Sequence, residues 1–321
     1  MVTCLTRIFP RCYRQTFLDI PCMRHRIEYA PVWLLVRALG VLPRPVARWF
    51  GAALGRAVYW LHPRLRHVGE RNLEMAFPEK SKAERRRILK GEFKTLGRQL
   101  ADFAHIPRLN AENIGSLVVH DGLENYLAAR DRGKGVLFVT AHLGGWELGS
   151  FAHSLYGYPI RIVVRPLDNV LLDRFVQRYR TRAGNTTFEK QDFARGLLAA
   201  MRAGETVGIL MDTNMTPPQG VFVEFFGRLA CTASGLARVA LRTDAAVVPG
   251  FTIWDESIGK YRVRFEPALQ LIRSGDDEAD VTANTALFTK VIEGYVRQYP
   301  EQWLWVHRRW KTRPEGEPSL Y

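Results

Sequence analysis

Gly135-Val136-Leu137-Phe138-Val139-Thr140-Ala141-His142-Leu143-Gly144-Gly145-Trp146-Glu147 decides the fold, because an apolar run the length of one buried strand ends on a histidine, two glycines and the start of a helix. On one continuous helix, His142 and Glu147 would point about 140° apart and would not meet. The spacing makes chemical sense when His142 sits on the loop leaving the strand, Gly144 and Gly145 turn the chain, and Glu147 enters the first helical turn, where a carboxylate is favoured. A carboxylate beside an imidazole fixes its tautomer and stabilises imidazolium. The pair is then a candidate general base for activating a hydroxyl toward an acyl group. A buried, hydrogen-bonded histidine with a surface glutamate produces the same spacing, so spacing alone leaves both readings open.

Two more polar residues follow strand-like runs in the same way. Arg165 comes after Ile160-Arg161-Ile162-Val163-Val164, and Asp212 after Thr206-Val207-Gly208-Ile209-Leu210-Met211. Helical patterns alternate with these runs over residues 168–182, 192–203, 232–243 and 280–298, with Gly184 and Gly204 closing the first two. Alternation implies parallel strands, so His142, Arg165 and Asp212 would share the carboxyl edge of one sheet, where such sheets bind ligands. The alternative is that Arg165 and Asp212 are ordinary loop residues.

The charge is lopsided. Of a net +14 over 321 residues, residues 1–110 hold 21 Lys/Arg against 8 Asp/Glu, and the rest hold 25 against 24. A basic N-terminal third suits a polyanionic partner, whether nucleic acid, an anionic bilayer surface or an acidic carrier protein. The same third is also the most apolar part of the chain, over residues 30–42 and 47–61, which weakens the nucleic-acid reading. Neither run has the roughly 18 uninterrupted apolar residues of a spanning helix. Arg, Trp and Tyr beside an apolar face suit a helix lying in the headgroup layer. Burial in the domain, or one tilted span through Pro31, are the alternatives.

Residues 81–106 read as a helix begun by a Ser81/Glu84 capping box, with Leu89, Phe93, Leu96, Leu100 and Phe103 on one face. Arg87, Lys90, Lys94 and Arg98 line another, either as a solvated face or as a dock for an acidic carrier or lipid headgroups. Near the C-terminus, Trp303 and Trp305 alternate as on a strand packed into the core, with Arg308 and Arg309 making structural hydrogen bonds. A headgroup-binding aromatic-basic cluster is the alternative. The Phe222, Phe225 and Phe226 segment likewise reads as core rather than as an acyl groove.

Familiar chemistries are missing from the sequence. The histidines and cysteines lack zinc-site spacing, no phosphate-binding glycine loop precedes a helix, and no Gly-x-Ser-x-Gly elbow offers a serine nucleophile. Cys4, Cys12, Cys22 and Cys231 form no disulfide framework, which fits a reducing compartment. Residues 1–22 lack the apolar core of a signal peptide, and Met23 is an alternative start.

The chain resembles the bacterial lipid A biosynthesis acyltransferases, the late (secondary) acyltransferases that share His-x4-Asp/Glu with the glycerolipid acyltransferases. The resemblance is carried by Asn72-Leu73-Glu74-Met75-Ala76-Phe77-Pro78, the His142 to Glu147 block, Val164-Arg165-Pro166, Val221-Phe222-Val223-Glu224-Phe225-Phe226-Gly227 and Trp305-Val306-His307-Arg308-Arg309-Trp310-Lys311-Thr312-Arg313-Pro314. The last two are more specific than the His motif, and residues 1–25 have no counterpart.

The resemblance implies that His142 and Glu147 are a catalytic dyad and that Arg180 and Asp212 support it. Arg165 would bind an anionic group or stabilise oxyanion charge. It further implies a fatty acyl donor carried as an acyl carrier protein thioester, with neither metal nor redox cofactor, and a membrane lipid acceptor that is a lipid A precursor. The site would face the cytoplasm at the inner membrane, on an anionic surface and without nucleic acid. Another lipid acceptor, an acyl-CoA donor and a non-catalytic basic binding protein are the rival readings. The expected fold is α/β: a glycerolipid-acyltransferase-like mixed sheet flanked by helices over residues 111–321, a basic amphipathic helical region over 26–110, and an irregular tail over 1–25.

Overall fold

A computed structural model of the chain describes residues 23–189 and 193–321. Four helices come first: α1 (Met23–Val41), α2 (Arg44–Leu61), α3 (Pro63–Ala76) and α4 (Lys82–His105). Strands and helices then alternate as β1 (Val118–Asp121), α5 (Leu123–Arg130), β2 (Val136–Thr140), α6 (Trp146–Leu155), β3 (Arg161–Val164), α7 (Val170–Arg180), β4 (Thr186–Glu189), α8 (Phe193–Arg202) and β5 (Thr206–Leu210). A hairpin, β6 (Gly220–Phe225) and β7 (Arg228–Ala233), leads to α9 (Gly235–Thr243), β8 (Ala246–Asp255), β9 (Lys260–Phe265) and α10 (Asp277–Gln298).

Seven strands make one mixed sheet in the order β1-β9-β8-β2-β5-β3-β4, in which only β8 and β9 pair antiparallel. Its centre is β2, whose side chains alternate between two cores as the strand period of two requires. Leu137 and Val139 join α8, α9 and α10, whereas Val136 and Phe138 join α5, α6 and α7. The expected mixed α/β sheet between helices is therefore the observed one. Parallel pairing of β2 with β5 puts their carboxyl ends side by side, which brings residues 140–142 next to residues 210–212.

The basic helical region is fastened to this sheet through α4. Ser81 caps α4 as the capping box requires: its Oγ accepts from Glu84 N–H at 3.2 Å, and the Glu84 carboxylate accepts from Ser81 N–H at 2.8 Å. The crossing of α2 and α4 depends on two glycines, since a Cβ on Gly51 would lie 2.2 Å from the Gly97 carbonyl oxygen and one on Gly97 would lie 1.9 Å from that of Gly51. The inner face of α2 (Ala47, Gly51, Ala52, Gly55, Tyr59) is buried, while Trp49, Phe50, Trp60 and Leu61 are exposed. Among the described residues, no helix is long and apolar enough to cross a membrane.

Three local expectations change. Residues 23–25, assigned to the tail, begin α1; residues 1–22 of that tail, with Cys4, Cys12 and Cys22, lie outside the described residues. The helix expected from residue 232 starts at Gly235, because Thr232 is in β7 and pairs with Val221. The hairpin turn is Phe226-Gly227, both at positive φ (54° and 69°), the twist-matched geometry of a two-residue hairpin. Trp303 and Trp305 are not on a strand: they occupy a turn-rich segment joined to the sheet loops by one bridge, Leu143 with Trp303. Both are nonetheless buried, as are Trp310 and Arg309.

Arg98 also leaves the expected basic stripe. Its guanidinium lies over the Trp254 ring at 4.4 Å and reaches Glu256 at 3.3 Å, so the exposed cations of that face are Arg87, Lys90 and Lys94.

Candidate active site

The loop between β2 and α6 is held from two sides. Gly144 N–H donates to Gln302 O at 2.9 Å, Gly145 N–H to Thr252 O at 2.8 Å, and the His142 carbonyl accepts from Leu304 N–H at 3.1 Å. Gly144 is at φ +57°, and a Cβ there would lie 1.9 Å from the Thr252 carbonyl oxygen. No other residue type fits that turn without displacing β8. The turn leaves His142 before the helix and Glu147 in the first turn of α6.

Asp212, just beyond β5, is 4% exposed. Its carboxylate accepts from His142 N–H and from His142 Nδ1, both at 2.8 Å, and from the Trp303 indole Nε1–H at 2.8 Å. Burial pulls the Asp212 carboxyl upward, but the His142 charge, the two His142 hydrogen bonds and the Trp303 bond outweigh it and leave the group below its ordinary value. With Nδ1 bound to Asp212, Nε2 is the ring nitrogen left for a substrate proton. The Trp146 ring stands edge-on to the imidazole at 5.2 Å.

Glu147 does something different from what its place in the motif suggests. Its carboxylate pairs with Arg180, whose Nε donates to both oxygens at 3.1 and 2.9 Å and whose terminal nitrogen donates to Oε1. Burial alone would raise the Glu147 carboxyl; Arg180 first, then His142, hold it below the usual range. Arg180 loses some basicity to burial, yet Glu147 leaves its pKa raised. The group that orients the imidazole is thus Asp212, while Glu147 and Arg180 form a fixed ion pair close enough to act on His142 through charge.

Arg165 is not brought into this cluster. Its side chain is 75% exposed and its guanidinium lies 3.7 Å from Asp168, because the exit of β3 leads into a surface loop. A role on the oxyanion has no geometric support there.

The C-terminal segment supplies residues that sequence reasoning did not place beside His142. Trp303 is one. His307 is another: its Nε2 accepts from Asn214 N–H at 3.0 Å, and burial, with the nearby His142 charge, lowers it to about 4, so it is neutral near pH 7. Asn214 in turn exchanges hydrogen bonds with Thr312 through Nδ2 (2.9 Å) and Oδ1 (2.8 Å). Arg309 donates to Cys231 O at 2.9 Å, to Thr213 O at 3.4 Å and to the Thr232 hydroxyl. Asn72 ties the segment to α3 by donating to the Trp305 and His307 carbonyls at 2.5 and 2.7 Å. The only signal for Trp303 in the sequence was an indole N–H that burial obliges to find an acceptor. Among the described residues, no group of three or more His, Cys, Asp or Glu side chains is placed to hold a metal ion.

An imidazole fixed by a buried carboxylate at the carboxyl edge of a sheet, with an ion pair beside it, is equipped to take a proton and stabilise the resulting cation. Comparison with known proteins bears on the family. The family model described as bacterial lipid A biosynthesis acyltransferase matches residues 22–312. The chain is 32% identical over 292 residues to a lipid A biosynthesis lauroyltransferase of Escherichia coli (strain K12), covering 90% of this chain and 92% of that one. It is 27% identical over 316 residues to a lipid A biosynthesis palmitoleoyltransferase of the same organism (98% and 100% covered). To a lipid A biosynthesis myristoyltransferase of that organism it is 26% identical over 272 residues (84% and 82% covered).

Proposed function

The chain belongs to the bacterial lipid A biosynthesis acyltransferase family, and from that premise we propose that it transfers a fatty acyl chain from an acyl carrier protein thioester to a hydroxyl of a lipid A precursor, with His142 as general base. It is an acyltransferase of lipid A assembly. The observation that carries the catalytic reading is the bond from His142 Nδ1 to Asp212, which leaves Nε2 as the proton acceptor.

In the proposed mechanism, His142 Nε2 removes the acceptor hydroxyl proton as that oxygen attacks the thioester carbonyl. Asp212 holds the ring and stabilises the imidazolium through Nδ1. The tetrahedral intermediate then collapses, the C–S bond breaks, and imidazolium returns the proton to the departing thiolate, so the ring ends neutral. Glu147, held by Arg180, adds negative charge near the ring when it is most needed. The chemistry as drawn uses neither a metal nor a redox cofactor.

Both substrates have a surface that suits them. The exposed cations Arg87, Lys90 and Lys94 on α4 suit an acidic carrier protein, and the exposed apolar residues of α1 and α2, among them Leu34, Trp49, Phe50 and Trp60, suit an anionic bilayer surface. A carrier-bound donor then implies a site facing the cytoplasm at the inner membrane. The test is an assay of purified protein with acyl carrier protein thioesters and a lipid A precursor in mixed micelles, read by mass spectrometry. The expected product carries one added acyl chain, and His142→Ala lowers turnover by about 10² to 10⁴. Unchanged transfer by that variant overturns the base assignment; acylation confined to lysophospholipids overturns the acceptor.

A further inference from the structure

Between α1 and the C-terminal end of α7 lies a cavity of about 220 Å³ whose lining includes Tyr29, Trp33, Arg37, Arg178, Tyr179 and Arg182. It is separate from the His142 cluster. Arg178 lies in the last turn of α7 and Arg182 just past its end, whereas Arg180 is about 200° around the helix from Arg178 and reaches Glu147. The cavity and the ion pair therefore occupy opposite sides of one helix.

Three guanidinium groups converge on this cavity. Burial raises the pKa of the Tyr179 hydroxyl, and the charges of Arg37, Arg182 and Arg178 all pull against it, which places the three cations around one phenol. Among the described residues none of the three forms an ion pair; Arg182 donates to Pro107 O at 3.3 Å, and Arg37 lies 5.5 Å from the centre of the Trp33 ring. Three like charges around one small space repel, and an anion that takes paired N–H donors relieves that repulsion.

The surroundings identify the kind of anion. Met23, Ile27, Leu34 and Val41 are 63 to 70% exposed and fall within about 40° of one another around α1, an apolar stripe on which none of the described residues packs closely. Arg37 and Trp33 border the stripe on the side of the cavity. An apolar stripe edged by Trp and Arg is the arrangement of a helix lying at a bilayer surface, with its guanidinium groups at the level of the phosphates. The cavity is also smaller than the roughly 300 Å³ at which pockets enclose a drug-sized ligand, so it suits a headgroup phosphate better than a whole disaccharide.

We propose that this cavity binds the phosphate of an anionic phospholipid headgroup and so seats α1 and α7 on the bilayer while acyl transfer proceeds on the other side of α7. The proposal rests on the membrane association put forward above. The test is cosedimentation of the full chain with vesicles of phosphatidylcholine alone and of phosphatidylcholine mixed with phosphatidylglycerol. Wild type should prefer the mixed vesicles, and Arg37→Gln/Arg178→Gln/Arg182→Gln should lower that preference about tenfold or more. Arg195→Gln/Arg202→Gln/Arg242→Gln, an equal loss of charge on α8 and α9 across the sheet, should retain most of it. The exposed pair Arg178→Gln/Arg182→Gln replaces the triple variant if circular dichroism shows the latter unfolded, and should lose an intermediate amount.

Equal losses in the α1/α7 and α8/α9 variants overturn the site in favour of diffuse charge. An unchanged vesicle preference with a raised acceptor KM in neutral detergent micelles overturns it in favour of an acceptor phosphate. Failure of wild type to bind either vesicle overturns the membrane reading, and this proposal with it.

Discussion

The Asp212 carboxylate holds His142 twice, accepting from its main-chain N–H and from its imidazole Nδ1, both at 2.8 Å. One side chain from the end of β5 thus fixes both the loop that carries the histidine and the direction of its ring. The Trp303 indole binds the same carboxylate, so the C-terminal segment helps set the orientation of the imidazole although it lies some 160 residues away in sequence.

Asp212→Asn tests this directly. The amide can still accept from His142 N–H, but its NH₂ would face Nδ1 and force the proton onto Nε2, the nitrogen that must be free. Turnover should fall by about 10³ to 10⁴ with little change in KM, as expected for a wrong tautomer in correct geometry. Near-normal kcat would show that Asp212 serves only the loop.

Glu147 and Arg180 should behave as one unit. Glu147→Gln leaves a half-buried guanidinium without its counter-charge, and Arg180→Gln does the reverse. Each single variant should lose stability and turnover, and the double variant should lose less than their sum, with a coupling of about 1 to 3 kcal/mol in urea unfolding. Additive losses would mean that the two side chains act independently despite the bidentate contact.

The contrast between these two carboxylates shows how far the sequence could be read. His142 before the helix and Glu147 in its first turn followed from glycine geometry and the helix period, both local. The adjacency of Asp212 and His142 was legible because alternating elements imply parallel strands, and β2 and β5 proved to be neighbours. Which carboxylate takes the imidazole depends on α7, which brings Arg180 to Glu147, and no local pattern reports that. Arg165 shared the strand-exit signature of Asp212 but leaves β3 into solvent. Thr232 looked helical because its pairing with Val221 is set by a hairpin, and Trp303 and Trp305 alternate without a strand because loops and α4 supply their partners. On α4 the buried Glu92 accepts from the N–H of Val306, the residue after Trp305, at 3.2 Å.

Carrier docking is tested on α4. Arg87→Glu/Lys90→Glu/Lys94→Glu reverses three exposed charges and leaves Arg98, which is engaged with Trp254 and Glu256. The KM for acyl carrier protein thioester should rise about tenfold at low salt, and the difference should shrink as the screening length falls to about 8 Å near physiological ionic strength. Unchanged donor kinetics at low salt would make this an ordinary solvated face.

Acid should destabilise the fold through buried histidines. Burial lowers His120 to about 4 and His153 to about 3. The pair lies among Tyr126, Tyr158 and Phe265, with His153 Nδ1 3.4 Å from His120 Nε2. The unfolded chain, in which histidine titrates near ~6.5, binds protons that the folded state refuses. Unfolding free energy therefore falls as the pH drops, by about 1.4 kcal/mol per pH unit for each histidine between its two values. The stability these groups contribute is fully present above pH ~6.5 and is lost progressively on the way down to their folded values. His153→Phe, which keeps a ring among those aromatics and cannot titrate, should make urea unfolding less sensitive to pH by about that amount for one group between pH ~6 and ~5. It should leave acyl transfer at pH 7 intact, since His153 does not touch the His142 cluster. An unaltered pH slope in the variant would mean that His153 is protonated within the folded protein.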